Sequence, residues 1–373
     1  GFSLRFRTDW KGHGLAEPIK LGMWTFGFVV VNQIAYLFFV NIATSASAAG
    51  AEDGAGYTVY SNAMLIMMVP HSVITVSLAT ALLPRLSDLA ADGYLDEMRD
   101  RLVSAIRVCL AIIVPLGALM AVLAYPMTDM IFDYGSARGQ TDMLARTLMA
   151  LIPGLLAFTV HYLCLRGFYA LQDTRTPFFT QVWIAAVMVV WAVGIAIISP
   201  SPDIVTMTLA VGYSAAYVVG AAVSLKRLQH EIGRIPTGPL VQHLVRLLIP
   251  TAIASTVAWL VWQGWSQLGV LDPLPSMLVH FVDLAVGGTV GMVIFVGLAY
   301  AMRIAEVRRA VGMVLAKVRK RSAGEESAAT TTSIPDHALD ETAEHPAPIV
   351  ETGTLSIFRQ AALDPDVTVE FFL

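Results

Sequence analysis

YTVYSNAMLIMMVPHSVITVSLATALLPRLSDL, residues 57–89, decides the fold. Its first 27 residues, Tyr57 to Leu83, hold no Asp, Glu, Lys or Arg. A bilayer core roughly 30 Å thick needs about 20 such residues as a helix, so this stretch can span with some tilt. Pro70 sits near its middle, where a proline frees the carbonyl four residues back and kinks the helix. His71 follows at once. An ionisable residue at that depth is costly and is a functional candidate by default. The pattern predicts a hinge at Pro70 and a stop with a cationic anchor at Pro84-Arg85.

The rest of the chain has the same character. Of 373 residues, 56% are hydrophobic and 14% charged, against about 25% charged in soluble domains. The composition is that of an all-α polytopic membrane protein. Eight transmembrane helices are predicted, near 21–43, 57–89, 102–132, 143–165, 178–198, 204–225, 244–265 and 277–302. Loops on one side carry 21 of the chain's 24 Lys and Arg residues, while the other side offers Arg138 and Arg146. That asymmetry puts both ends of the segment in the cytoplasm. Four regions are therefore expected: a cytoplasmic interfacial segment at 1–20, an eight-helix domain at 21–302, a basic juxtamembrane helix at 303–321, and a mostly disordered tail at 322–373. The tail is rich in Ser, Ala, Thr, Glu and Pro and poor in aromatic residues up to about 350, too little apolar surface to offset ordering entropy. The opening residue is Gly1, and the segment reads as cut from a longer chain.

Several chemistries lack their motifs. There is no GxxxxGK, HExxH, CxxC or GxSxG, so neither an enzyme nor a metal site is expected. Cys109 and Cys164 fall in apolar runs and read as helix-packing residues. No basic-aromatic pattern points to nucleic acid.

Polar residues inside the spans are few. Asn32, Gln33 and Asn41 form a loose polar flank on the first span, suited either to an interhelical hydrogen bond or to lining a hydrated cavity. Asn62 and His71 lie about 180° apart on an ideal helix. For His71, a hydrogen-bonded imidazole packed between helices and a cavity-lining imidazole both stay open. Asn32, Gln33, Asn62 and His71 are the substrate-cavity candidates. His280 and Asp283 share a helix face, and Gly287 and Gly291 give a small-xxx-small spacing for close helix approach. Two stretches, LPRLSDLAA from Leu83 and RGFYALQDTRTP from Arg166, each offer an Arg and an Asp that can pair or cap the next helix. Pro84, Arg85, Asp173, Arg175 and Pro177 are read as rigid cytoplasmic joints.

These stretches carry a resemblance. A midspan Pro70, then LPRLS, an acidic amphipathic segment, a long span ending in FDYG (Phe132 to Gly135), and GFYALQDTRTP occur in the order found in the MurJ (MviN) family of lipid II flippases. GFSLRFRTDW followed by a helix with Asn32-Gln33 fits as well, and the likeness covers about residues 1–305. The family shares a superfamily with MATE drug exporters and polysaccharide flippases. The resemblance implies a fourteen-helix fold, of which this chain would be the second lobe plus two extra helices, without the first lobe. It implies alternating access with no covalent chemistry and no cofactor; an ion gradient or membrane potential stays open as the energy source. It also implies a substrate, lipid II or a related polyprenyl-diphosphate lipid, in the bacterial plasma membrane. Peptidoglycan biosynthesis would be the process served. Cytoplasmic regulatory or cell-wall synthesis partners are conceivable for the tail, and another exporter of the superfamily or a membrane scaffold are the competing readings.

One departure stands out. Many bacterial members carry an Arg five residues before the midspan Pro and an acidic residue nearer to it. This chain has Leu65 and Met68 there, which looks like actinobacterial members. The spans show no deep Lys or Arg, so an anion site is expected to lie outside this chain, apart from a weak contribution from His71.

Overall fold

The structure is a computed structural model that describes residues 16–48, 56–134, 139–198, 204–267 and 275–312. The chain begins with α1 (Ala16–Ala48), α2 (Tyr57–Pro70), a π-helical turn (His71–Val76) and α3 (Ser77–Ala91). There follow α4 (Leu95–Val122), α5 (Ala124–Phe132), α6 (Thr141–Ala170) and α7 (Arg175–Ile198). The bundle closes with α8 (Val205–Ile232), α9 (Thr237–Gln267) and α10 (Ser276–Ala301), and residues 305–312 are helical beyond it. Eight helical stretches are long and apolar enough to cross a membrane, with α2, the π-turn and α3 counted as one and α5 too short to count. The expectations for residues 1–15, for 313–321 and for the 322–373 tail lie outside the described residues.

Prolines shape the spans in three ways. At Pro70 the helix widens into the π-turn, which accommodates the missing N–H without ending the helix. The third predicted span is instead broken in two. Leu123 turns out of helical geometry (φ −98°, ψ 20°), and Pro126 occupies the first turn of α5, where a missing N–H does no harm. The stop expected at Pro84-Arg85 does not occur, because α3 runs through Pro84 as far as Ala91. The residues beyond the proline hold the helix down: Leu86 is fully buried, and Leu89 and Ala90 pack on the same core. Pro84 and Arg85 are exposed helical positions and not a loop joint.

α3 is capped two residues past Ala91, at Gly93. Gly93 has φ +78°; its N–H donates to the Ala90 carbonyl, and the Tyr94 N–H donates to the Leu89 carbonyl (2.9 Å). That is a left-handed cap which satisfies the last free carbonyls of the helix. α6 and α10 end the same way, but with Gln172 (φ +57°) and Arg303 (φ +57°) in the left-handed position. There Asp173 N–H reaches Phe168 O (2.9 Å) and Ile304 N–H reaches Ala299 O (3.0 Å).

α6 lies at the centre and packs most extensively on α8. Three polar links run down this parallel seam. Thr147 donates to Thr206 (3.2 Å), Ser214 of α8 bridges the Pro153-Gly154 bend of α6, and His161 Nδ1 meets Ser224 Oγ at 2.8 Å. The Ser214 hydroxyl accepts the Gly154 N–H (3.0 Å) and donates to the Ala150 carbonyl (2.7 Å), the two groups that an unbroken helix would bond to each other. α1 leans on α7, and α9 and α10 pack together against α4 and α5. The glycines of α10 serve the close approach expected of them: a Cβ on Gly291 would lie 2.4 Å from Leu119 and 3.1 Å from Ala258 Cβ. Beyond α10, Ile304 and Val307 are buried against the bundle, Glu306 sits 3.7 Å from His243 of α9, and Arg303, Arg308 and Arg309 face outward.

Candidate functional site

α1 and α2 meet where the Tyr36 and Tyr57 hydroxyls hydrogen-bond and the Phe39 ring packs tilted against Tyr60 at 5.9 Å. At its other end α1 is held by the α6–α7 joint. Thr174 Oγ1 donates to the Leu21 carbonyl (3.2 Å), and Trp24 packs on Phe178 and Phe179 at 5.2 and 5.8 Å. Gly27 permits this contact, since a Cβ there would lie 2.9 Å from the Phe178 ring. α2 and α3 pack on α6, while α1 lies against α7. Phe158 of α6 has the His71 ring on one side (4.4 Å) and Tyr217 of α8 on the other (5.0 Å). Phe158, Tyr162 and Arg166 recur at intervals of four and are all half-buried, so they form one stripe along α6.

The four cavity candidates are not gathered in one place. Asn32 is exposed on α1 and its Oδ1 accepts from Gln181 Nε2 of α7 (3.0 Å), a side chain that is itself buried. Gln33 is exposed and Asn62 half-buried. His71 is buried: its Nδ1 lies 3.4 Å from Thr159 Oγ1, and its ring is caged by Phe158 and, edge-on at 5.0 Å, by Tyr162. Of the two readings left open for His71, the geometry is that of an imidazole packed between helices.

The second joint is built as its residues suggest. Asp173 Oδ1 accepts the N–H groups of Arg175 (2.9 Å) and Thr176 (3.0 Å), which caps α7. The Arg175 guanidinium lies 5.7 Å from both the Trp24 and Phe179 rings, and Pro177 is buried in the first turn of α7.

Sequence reasoning missed two features here. Arg166 was placed just beyond the fourth span, yet it lies inside α6. Arg166 donates through Nη2 to the Tyr162 hydroxyl, and its guanidinium carbon sits 4.6 Å over that ring. The spacing Tyr162-x-x-x-Arg166 was the available signal, hidden because the span was ended at Leu165. His161 and Gln181, each a polar side chain in an apolar run, were likewise passed over.

Comparison with known proteins gives a consistent picture. The sequence profile of the family "Lipid II flippase MurJ" matches residues 1–280. A protein of Rhizobium meliloti (strain 1021) described as "Probable lipid II flippase MurJ" is 24% identical over 294 residues, covering 76% of this chain and 53% of the relative. "Lipid II flippase MurJ" of Burkholderia cenocepacia is 32% identical over 150 residues, covering 40% of this chain and 28% of the relative. A solved structure, "Lipid II flippase MurJ, inward closed conformation", superposes with a TM-score of 0.56 at 17% identity over 74% of this chain and 53% of that one. The chain thus spans about half the length of the relatives that it matches across most of its own length.

Proposed function

The chain belongs to the MurJ family of lipid II flippases, and from that premise we propose that it forms the second lobe and two further helices of such a flippase. The complete protein moves a lipid-linked peptidoglycan precursor from the inner to the outer leaflet of the plasma membrane by alternating access. It is a transporter, not an enzyme, and no covalent step or cofactor enters the cycle. The observation that carries this reading is the match of the MurJ family model to residues 1–280, on a chain with eight helices long and apolar enough to cross a membrane.

The apolar side chains that α1 and α2 leave exposed, among them Met23 (65%), Phe26 (71%) and Leu37 (65%), suit a seat for the first lobe or for lipid. The 21-to-2 charge asymmetry supports cytoplasmic ends for this segment. The connections between helices on the cation-rich side, at residues 92–94, 171–174 and 233–236, are all short.

Depletion of the full-length protein tests the function. Lipid-linked precursor should accumulate on the inner leaflet, and an unchanged distribution would sink the reading. Removal of residues 322–373 should leave transport largely intact, whereas complete loss would favour a scaffold that works through its tail.

A further inference from the structure

Asp283 of α10 is the one Asp, Glu, Lys or Arg side chain that is buried among the described residues, at 4% exposure. It makes no ion pair with them, and its Oδ1 has no hydrogen-bond partner. The other described carboxylates are exposed or half-buried, and several are spent. Asp96, Glu97, Asp100 and Asp142 pair with arginines, and Asp173 caps α7.

The seam around Asp283 offers it no countercharge. The residue lies seven positions beyond Ser276, about 10 Å along α10. One turn further on, a Cβ on Gly287 would lie 3.1 Å from Leu123 and 3.7 Å from the Ala258 carbonyl, so α10 closes tightly on α9 and the start of α5. α9 carries no charged side chain from Thr251 to Gln267, and α4 none from Cys109 to Val122. α5 has Tyr125 and Asp129 as its titratable residues, and α10 itself has His280, one turn before Asp283. The Trp262 indole of α9 and the His280 imidazole are the polar groups that act on the carboxyl. A bare carboxylate in an apolar seam is costly, and a proton removes that cost without a counterion.

We infer that Asp283 is a proton-binding site in the seam of α10 with α9 and α5, protonated while α10 is seated there and ionised when α10 separates into water. Seating then takes up a proton, so the seated state gains as pH falls and loses as pH rises. The protonated carboxyl is both donor and acceptor, and it can still accept from the Trp262 indole. The inference stands on this seam and does not depend on the flippase reading.

The test uses the full-length protein in nanodiscs and dicyclohexylcarbodiimide, an apolar reagent that attacks protonated carboxyl groups. Mass spectrometry should find the adduct on Asp283 of folded wild type, several-fold more at about pH 5.5 than at about pH 8. No adduct in the folded protein, with ready reaction once it is unfolded at the same low pH, would overturn the assignment. This readout is made on wild type and so holds even where a variant folds poorly. Hydrogen-exchange protection across residues 276–290 should rise several-fold over the same fall in pH. In Asp283→Asn, which keeps the shape without the charge, protection should be high at both pH values. An equal pH response in wild type and in Asp283→Asn would also overturn the assignment. His280→Gln should keep both the adduct and the pH response, and their loss would move the proton to the imidazole and overturn the reading.

Discussion

The Ser214 bridge across the bend of α6 sets up a quantitative test of how the central seam is held. In Ser214→Ala two buried main-chain groups, the Gly154 N–H and the Ala150 carbonyl, lose their partner. Left unpaired, each would cost about 1–3 kcal/mol. They face each other across one helical turn, however, and can re-bond directly. Side-chain hydrogen bonds between membrane helices average about 0.6 kcal/mol, so about 1 kcal/mol is expected for this variant. Gly154→Ala is more severe. Its Cβ would lie 2.8 Å from both Ser214 Oγ and Tyr213 Cδ1, against about 3.5–4.0 Å for a relaxed contact between carbons. α6 and α8 must then part by a large fraction of an ångström, which stretches the Thr147–Thr206 and His161–Ser224 links as well. Overpacking of about 1–3 kcal/mol plus the lost bridge gives about 3 kcal/mol. The double variant should cost about 1 kcal/mol less than the sum, because the obstructing hydroxyl is gone although the Tyr213 ring remains. Equilibrium unfolding of the purified full-length protein in mixed micelles measures all three. A Gly154→Ala protein as stable as wild type, or strict additivity in the pair, would refute the bridge.

Four further outcomes are expected. Asp173→Ala should destabilise by about 1 kcal/mol through loss of the α7 cap, while Asp173→Asn should keep most of it; equal loss in both would point to the charge and not the cap. Gln172→Gly should stabilise by about 0.5–1 kcal/mol, since glycine takes φ +57° without the left-handed penalty, and a lower midpoint in thermal unfolding would contradict this. Gly291→Ala should cost about 2 kcal/mol and loosen α10 from α4 and α9, detectable as faster proteolysis near residues 303–312; wild-type resistance would count against the tight approach. His71→Gln and His71→Leu should both support growth when they replace the full-length gene, with stability lost mainly in the leucine variant. Loss of growth with a normally folded leucine variant would return His71 to the transport path.

The spans were legible in the sequence because hydropathy and charge both report on the bilayer. Runs free of charge mark the eight crossings, and the positions of Lys and Arg mark their ends. What these signals cannot show is how a helix behaves within an apolar run. The break at Leu123 lies in Leu-Ala-Tyr-Pro-Met, as hydrophobic as its flanks, and Pro84, which promised a stop, is carried through because Leu86 is buried beyond it. Proline removes a donor but does not say whether the helix will widen, break or continue; the packing of the following turn decides. The site was less legible still. Asn32 and His71 stood out as polar residues in apolar surroundings, but their partners Gln181 and Thr159 lie 149 and 88 positions away in the chain. Arg166 was read by its place near the end of a hydrophobic run, while its role depends on which way that turn of α6 faces.

The π-turn after Pro70 has a consequence for phase. From Val59 one buried row runs Ala63, Met67, His71, Thr75 and Ala79, and one exposed row runs Leu65, Val69, Val73, Ser77, Ala81 and Arg85. Both series have a strict period of four. On a straight helix of 3.6 residues per turn, a period-four row drifts by roughly 40° at each step, so over five steps it would wind about 200°, from one side to the other. The wide turn at His71–Val76 takes up part of that drift and lets one row stay on one side across two half-helices. It acts as an inserted residue. Shortening the segment to a regular helix would turn α3 by roughly 100° against α2 and carry Ala79 and Leu86 out of the core. The helix thus keeps two faces along its whole length through one local irregularity.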